Sequence, residues 1–397
     1  MSEVKTCELG DLIEFQRGYD LPKSEFRNGP YPVQSSNGIL GYHIDYKVEG
    51  PGITIGRSGT VGIPHYLNEN FYPHNTTLFV KDFKGNDRKY IYYLLKHLKL
   101  NDFKTGSGVP TMNRNHLHPL KVNAFIDKNY QVKLSSILSI LDQKIALNNQ
   151  INEELEAMAK TLYDYWFVQF DFPNENGKPY KSSGGKMVYN DQLKREIPEG
   201  WGVETLSGLG TIVGGSTPSK SNLDNFVNSG QGISWITPND LSKNKGNKFI
   251  SKGEIDISEV GRLSANLKIF PKGTVLLSSR APIGYLAIAS NELTTNQGFK
   301  SFIPNKEYDE NYIYYVIKQS MKVIEQNASG STFKEISSTV LGEILVVKPK
   351  INLIKKFQEK VVSINNQIYV NEVQNQELTQ LRDWLLPMLM NGQVKVE

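Results

Sequence analysis

Two polar loops of this sequence carry residues that could bind a charged ligand. Arg57-Ser58-Gly59-Thr60 follows one predicted strand, and Ser278-Ser279-Arg280 follows another. An arginine at a rigid strand end can donate two hydrogen bonds to guanine O6 and N7. Small hydroxyl residues beside a cation suit phosphate oxygens. The chemistry that these residues offer is therefore hydrogen bonding and charge neutralisation.

Two further loop pairs have the same character. Thr105–Gly108 with Arg114 matches Ser329–Thr332 with Lys334, and Asn75-Thr76-Thr77 matches Thr295-Asn296-Gln297. Asn and Gln amides can read adenine N6 and N7. Each residue alone could be an ordinary turn former, but the recurrence of all three loops favours binding. The candidate contact residues are Arg57, Ser58, Thr60, Asn75, Thr76, Lys104, Ser107, Arg114, Thr217, Lys220, Ser278, Ser279, Arg280, Asn296, Gln297, Ser329, Ser331, Thr332 and Lys334.

Catalytic and metal-binding motifs are not found in the sequence. It has no Asn-Pro-Pro-aromatic motif for a flipped adenine and no G-x-x-x-x-G-K-[ST] loop for ATP, and Gly208–Gly214 lacks dinucleotide-loop spacing. All six histidines precede residue 119, and the single cysteine is Cys7. A metal site needs a fuller ligand set than His116 and His118 supply. We predict no catalytic residue, no metal and no cofactor on this chain.

The composition is that of a soluble multidomain protein. The 397 residues exceed one ordinary core, and 45 Lys and Arg against 41 Asp and Glu give a net charge of +4. This charge permits a nucleic-acid partner without requiring one. We read no signal peptide in the sequence and no apolar run long enough to span a membrane. We therefore expect a cytoplasmic protein.

The chain contains one unit twice. Tyr90-Ile91-Tyr92-Tyr93 recurs 222 residues later as Tyr312-Ile313-Tyr314-Tyr315. Residues 1–127 and 196–350 are rich in Gly, Asn and aromatics and repeat the same order of segments. Predicted strands are Gly52–Gly56, Thr77–Val80, Gly273–Leu277 and Lys300–Ile303, and predicted helices are Arg88–Leu100 and Glu310–Glu325. We predict an α+β fold with two tandem globular α/β modules.

A long helix follows each module, over residues 128–170 and 351–397. Apolar residues alternate at spacings of four and three, a coiled-coil seam. The first seam is Leu134, Leu138, Leu141, Ile145, Asn148, Asn152, Leu155, Ala159, Leu162 and Trp166; the second is Phe357, Val361, Ile364, Ile368, Asn371, Asn375, Leu378, Arg382, Leu385 and Leu389. We predict an antiparallel coiled coil with internal pseudo-two-fold symmetry, Asn148 facing Asn375 and Asn152 facing Asn371. The alternative is an ordinary core seam with solvated Asn.

Two other features complete the organisation. Residues 171–195 are dense in Pro, Gly, Ser and Lys, which predicts an extended connector, partly ordered at best. A second apolar stripe on the first helix, Ile137, Ile140, Leu147, Ile151 and Met158, cannot face the same partner as the seam. The chain's own modules or another protein must cover it.

The sequence resembles the DNA specificity subunit of type I restriction-modification systems. Two Gly/Asn-rich modules alternate with two long helices, and the connector, Gly214–Lys220 and the tail Leu385–Gly392 add to the likeness. The resemblance covers nearly the whole chain. It implies that each module is a target recognition domain reading half of a split double-stranded DNA sequence, while the helices set the gap and dock two methyltransferase subunits.

The resemblance also implies the chemistry of the assembly. Partner subunits transfer a methyl group to adenine N6 from S-adenosylmethionine, and restriction subunits use ATP and Mg²⁺. The chain itself would be a non-catalytic targeting subunit. Two alternatives stay open: a duplicated adaptor or scaffold that binds protein or glycan, and an enzyme with an unrecognised site.

Overall fold

The computed structural model describes residues 3–102, 111–280, 282–330 and 334–396. The chain divides into two compact units that do not follow the chain order. Unit 1 comprises Met1–Leu147 and Asn375–Glu397, and unit 2 comprises Asn148–Gln374. Each unit therefore combines one module with a part of both long helices. No helix among the described residues is long and apolar enough to cross a membrane.

Among its described residues, unit 1 has nine strands and three α-helices before the first long helix. In chain order they are β1 (Val4–Glu8), α1 (Leu9–Leu12), β2 (Glu14–Arg17), β3 (Tyr31–Ser35), β4 (Gly38–His43), β5 (Gly52–Gly56), β6 (Pro64–Leu67), β7 (Tyr72–Pro73), β8 (Thr77–Asp82), α2 (Arg88–His97), α3 (Arg114–Leu117) and β9 (Lys121–Phe125). A four-stranded sheet has the order β2-β8-β5-β6, a second sheet has the order β4-β3-β7, and β1 pairs with β9.

Unit 2 repeats this plan with additions. Its elements are β10 (Met187–Asn190), β11 (Arg195–Pro198), β12 (Gly202–Thr205), α5 (Leu206–Leu209), β13 (Gly210–Gly214), β14 (Phe226–Asn228), β15 (Ile233–Ile236), α6 (Pro238–Lys243), β16 (Phe249–Ile250), β17 (Ile255–Ile257), α7 (Glu259–Ser264), β18 (Val275–Ser279), β19 (Ile283–Ala289), β20 (Thr294–Thr295), β21 (Lys300–Pro304), α8 (Glu310–Gln326), α9 (Ser338–Glu343) and β22 (Leu345–Lys348). The order β13-β21-β18-β19-β16 contains the counterpart of the larger sheet of unit 1. The α+β class is confirmed, as are the predicted strands and helices, except that the strand predicted at Gly273–Leu277 spans Val275–Ser279.

The recurring tyrosine segment is an amphipathic helix in both modules. Asp87 caps α2 by accepting a hydrogen bond from Tyr90 N, and Asp309 caps α8 by accepting one from Tyr312 N. An N-cap carboxylate satisfies a backbone donor that the first turn leaves unpaired. Tyr90 and Tyr312 are buried in the hydrophobic cores of their units. The repeat thus places the same helix against the sheet twice.

The long helices are α4 (Lys128–Tyr163) and α10 (Ile351–Met390), and a π-helical turn, Asp164–Val168, extends α4. None of the predicted seam residues is fully exposed. In unit 2, Asn371 donates to Asn152 Oδ1 (2.8 Å) and Asn148 donates to Gln374 Oε1 (2.8 Å). These pairs run in opposite directions along the two helices.

The predicted contact of Asn152 with Asn371 is therefore confirmed, together with the antiparallel direction in unit 2. That Asn148 faces Asn375, and that a coiled coil continues along the full length, stay predictions.

The connector differs from the prediction. Residues 187–198 form the antiparallel hairpin β10-β11, and Phe172 stacks on Tyr180 and Trp201 with ring centroids 4.7 and 5.1 Å apart. The expectation of an extended, partly ordered segment was wrong because its aromatic residues anchor it in the core of unit 2.

Candidate nucleic-acid interface

The first candidate cluster lies where β5 ends beside the start of β8. Gly56 pairs with Thr77, which places Arg57 opposite the residues before β8. Arg57 N donates to Thr76 O (2.8 Å), and the guanidinium donates to Asn75 O (3.3 Å). Two rigid strand ends therefore hold this half-buried arginine beside the predicted loop.

The side chains of that loop are held differently. The Asn75 amide donates to the Asp20 carboxylate, which also pairs with Arg17 (3.1 Å). Thr76 Oγ1 accepts from Ser36 N (3.3 Å) and lies 3.1 Å from His74 Nδ1. Burial lowers the pKa of His74, which favours the neutral ring. The Thr76 hydroxyl is thus occupied within the module, whereas Asn75 belongs to an exposed polar group.

The chain returns to Arg57 after the second predicted loop. Ser58 forms a β-bridge with Thr111, and Met112 N donates to Arg57 O (2.8 Å). Thr60 is exposed on the turn after β5, and Arg114 is exposed at the start of α3. Lys104 and Ser107 lie outside the described residues.

Unit 2 has the same frame at the end of β18. Ser279 N donates to Gly298 O (2.8 Å), Ile336 N donates to Ser279 O (3.2 Å), and Arg280 bridges Glu335. These contacts match those of Arg57 and Ser58 one for one. Ser279 is therefore the counterpart of Arg57, and Arg280 is the counterpart of Ser58. The two loops therefore correspond, with their arginines one residue apart.

The two serines before Arg280 require a correction to the candidate contact set. Both are fully buried. Ser278 Oγ donates to Pro282 O (2.8 Å) and accepts from Tyr285 N (2.8 Å). Their hydroxyls do not reach the surface, so Ser278 and Ser279 leave the candidate contact set. The Ser278 hydroxyl bonds the chain that follows Arg280, whereas the Ser279 hydroxyl is buried without a hydrogen-bond partner among the described residues.

Arg280 belongs to a small group of charges. Its guanidinium lies 3.7 Å from the Glu335 carboxylate, which is also 3.8 Å from the Lys300 ammonium. Glu335 is fixed through its backbone, because it exchanges two hydrogen bonds with Ser329 (2.9 and 3.0 Å). Sequence reasoning missed Glu335. Ser329 and Lys334 are exposed on the same loop, whereas Ser331 and Thr332 lie outside the described residues.

The polar side chains of the third loop of unit 2 also have different roles. Asn296 Oδ1 accepts from Gly298 N (2.9 Å), so this amide stabilises a turn. Gln297 is exposed and accepts a hydrogen bond from the Thr217 hydroxyl. Lys220, three residues after Thr217, is also exposed. The structure thus brings Thr217 to Gln297, which the sequence did not predict.

Arg57, Asn75, Arg280 and Gln297 therefore lie next to the ends of the central strands of their larger sheets, and the other described candidates lie on neighbouring loops and at the start of α3. They offer arginine, amide and hydroxyl groups on a rigid frame. Among the described residues, no group of three or more His, Cys, Asp or Glu could hold a metal ion.

Comparisons with known proteins all point to one protein family. The sequence profile described as "Type I restriction modification DNA specificity domain" matches residues 1–157 and again residues 198–383. The HindI type I restriction enzyme specificity subunit of Haemophilus influenzae is 31% identical over 317 residues, covering 68% of each chain. The MjaIX specificity subunit of Methanocaldococcus jannaschii is 40% identical over 171 residues, covering 43% of this chain and 38% of that protein.

A solved structure supports the fold. The type I restriction-modification S subunit from M. genitalium aligns with a TM-score of 0.59 at 16% identity, covering 98% of this chain and 96% of that one. The alternative of a duplicated adaptor or scaffold has no support among these relatives.

Proposed function

The chain belongs to the type I restriction-modification DNA specificity family, and from this premise we propose that each module reads one half of a split DNA sequence. The role of the chain is DNA sequence specificity. The observation that carries the proposal is the double match of the family profile, once on each module, over a frame that the structure builds twice. Two similar readers on one chain suit a target with two separate halves.

The divergence of the loops supports different half-sites. The frame places Arg57 in one module where the other has the buried Ser279, and Arg280 where the other has Ser58. Successive residues at a strand end point to opposite sides. We therefore infer that the two arginines leave their sheets in different directions, so that each module presents its guanidinium to bases from a different position.

The long helices supply surfaces for the remaining subunits. Four residues of the second stripe on α4 are exposed, Ile140 (63%), Met158 (59%), Leu147 and Ile151, whereas Ile137 packs against the core of unit 1. Large apolar residues exposed on one stripe favour a protein partner. We assign this stripe to the two methyltransferase subunits. In our proposal, those subunits use S-adenosylmethionine, restriction subunits use ATP and Mg²⁺, and this chain targets the assembly without catalysing a step.

The test replaces Arg57 and Arg280 separately by Ala in the chain assembled with its methyltransferase subunits. Each change should relax recognition of one half-site by roughly 5- to 150-fold, the worth of a bidentate base contact. Mapping of the methylated sequences gives both halves at once. Equal effects on both halves, or no effect from either variant, would refute the assignment.

A further inference from the structure

One pair of polar side chains recurs in both modules with different chemistry. In unit 1 the Asn75 amide Nδ2 donates to the Asp20 carboxylate, and in unit 2 the Thr217 hydroxyl donates to Gln297 Oε1. Asp20 is 68% exposed, so the pair in unit 1 stands at the surface. Asp20 is not among the contact residues predicted from the sequence.

The backbone shows that these pairs occupy equivalent places. Tyr19 N donates to Pro73 O (2.8 Å), and Ser216 N donates to Thr295 O (3.0 Å). Each donor directly precedes the residue in question, Asp20 or Thr217.

The glycines that precede these donors, Gly18 and Gly215, also occupy equivalent places. A Cβ on Gly18 would overlap the carbonyl oxygens of Pro73 and His74, and a Cβ on Gly215 would overlap those of Thr295 and Asn296. The same close approach of two backbones occurs in both modules, and only glycine allows it. Asp20 and Thr217 are therefore counterparts, as are Asn75 and Gln297.

The two partners constrain an amide differently. A carboxylate only accepts hydrogen bonds, so Asp20 must engage the NH₂ end of Asn75 and hold it in one orientation. The carbonyl oxygen and the second N–H of Asn75 then stay available together, which is the pair that adenine N6 and N7 require. A hydroxyl both donates and accepts. Thr217 can therefore hold either end of Gln297 and leaves the amide free to turn over.

We propose that the residue at the Asp20 and Thr217 position is a positioning residue that sets how strictly each module selects one base of its half-site. The proposal rests on the proposed function, since it assumes that the modules read DNA. In module 1, Asp20 fixes Asn75 for adenine. In module 2, Thr217 allows Gln297 to accept more than one base.

The test exchanges the two chemistries in the full chain assembled with its methyltransferase subunits. Variants Asp20→Thr, Asp20→Asn and Thr217→Asp select bound duplexes from a random pool, which are then sequenced. Asp20→Thr and Asp20→Asn should each weaken selection for adenine at one position of the first half-site by about five-fold or more. Thr217→Asp should sharpen selection at one position of the second.

Two controls separate positioning from charge and from folding. Glu69→Gln removes an acid from an exposed site of module 1 and should leave base selection unchanged, although it changes the charge as Asp20→Asn does. In an Asn75→Ala background, Asp20→Thr should have no further effect on selection, because no amide remains to be oriented. Melting curves by circular dichroism confirm that each variant is folded.

The outcomes distinguish the two proposals. If the wild-type assembly enriches no split sequence, the proposed function fails. If Arg57→Ala shifts the first half-site but folded Asp20→Thr and Asp20→Asn do not, this inference is overturned and the function stands. An equal effect of Asp20→Thr with and without Asn75 would also overturn it.

Discussion

The two modules are fastened to the long helices by the same tyrosine but by different ion pairs. In unit 1, Tyr93 donates to Asp142 on α4 (2.7 Å), and Arg382 on α10 completes the group (2.8 Å). In unit 2, the equivalent Tyr315 donates to Glu156 on α4 (2.8 Å), and two cations pair with Glu156, Lys248 (2.9 Å) and Lys318 (2.6 Å). The position of the tyrosine is common to both units, whereas the origin of the positive charge differs.

The difference shows which part of each unit the charge secures. Asp142 and Arg382 both belong to helices, so their pair joins helix to helix. Lys248 lies just before β16, so its ammonium joins the recognition module to α4. Glu372 on α10 strengthens this junction by accepting from Lys248 N (2.6 Å) and Phe249 N (3.0 Å). Loss of Lys248 should therefore destabilise module 2 more than loss of Arg382 destabilises module 1.

The largest expected effect follows from Lys248→Met. The Lys248 side chain is only 3% exposed, and its removal leaves Glu156 paired with the more exposed Lys318. Because Lys318 still neutralises Glu156, the loss should stay below the roughly 3–5 kcal/mol of an uncompensated buried charge. We expect a cost of about 2–3 kcal/mol, the worth of a hydrogen bond to a charged group. Arg382→Met is the matched control, and it should cost about 1 kcal/mol because its pair with Asp142 is more exposed. Native-state hydrogen exchange in α8 and α2 reports the two units separately. Equal losses would contradict the comparison.

The second prediction is a difference in pH dependence between the units. Burial raises the pKa of Glu372 to about 7, so the folded state holds a proton that the unfolded state releases. Unit 2 should therefore lose stability as the pH rises from about 4.5 to 7, by up to about 1.4 kcal/mol per pH unit. Burial lowers the pKa of Lys248 to about 8, which adds stability as the pH rises from 8 towards 10.5.

Unit 1 should show the opposite sign in the acidic range. Burial lowers the pKa values of four of its histidines, His65, His74, His97 and His118. The unfolded state binds more protons than the folded state below pH 6.5, so stability rises with pH in that range. Hydrogen exchange corrected for intrinsic rates measures both slopes. Glu372→Gln should flatten the slope of unit 2 alone, and a rise in both wild-type units between pH 5 and 7 would refute the prediction.

A smaller effect separates the two tyrosines. Tyr315 also accepts a hydrogen bond from the Lys248 ammonium (2.7 Å), whereas the Tyr93 hydroxyl contacts Asp142. Tyr93→Phe should cost about 1 kcal/mol, and Tyr315→Phe should cost about 2, since it leaves two buried charged groups short of a partner. The same exchange measurement on α2 and α8 tests the ranking. A larger loss from Tyr93→Phe would reverse it.

The sequence predicted the features that depend on periodicity. Local residue patterns predicted the strands at residues 52 and 300 and the two tyrosine helices. The spacing of the seam residues predicted the contact of Asn152 with Asn371. The repeat distance of 222 residues also places Arg57 opposite Ser279, so the sequence already contains the one-residue difference between the two arginines.

Other parts of the site depend on long-range contacts that no local pattern encodes. Asp20 and Thr217 are 197 residues apart, a different offset from that of the tyrosine repeat, so the repeat does not pair them. Glu335 meets Arg280 only because the chain returns after α8. The connector looked disordered by composition, yet Phe172 and Trp201 bury against each other, and burial outweighs a Gly- and Ser-rich composition.

The smallest expected effect tests the different setting of the two arginines. Arg280 is 37% exposed and faces the Glu335 carboxylate, whereas module 1 has the uncharged Thr111 at the position of Glu335. A carboxylate restricts the guanidinium and lowers the entropy lost on binding a base. Glu335→Gln should relax discrimination at the second half-site by about two- to three-fold, less than the loss of a full base contact, and leave the first half-site unchanged. Thr111→Val, which also removes a polar group, should change neither half-site. Methylation mapping of the assembled complex measures both, and tighter discrimination by Glu335→Gln would show that Glu335 competes with DNA for Arg280 instead of positioning it.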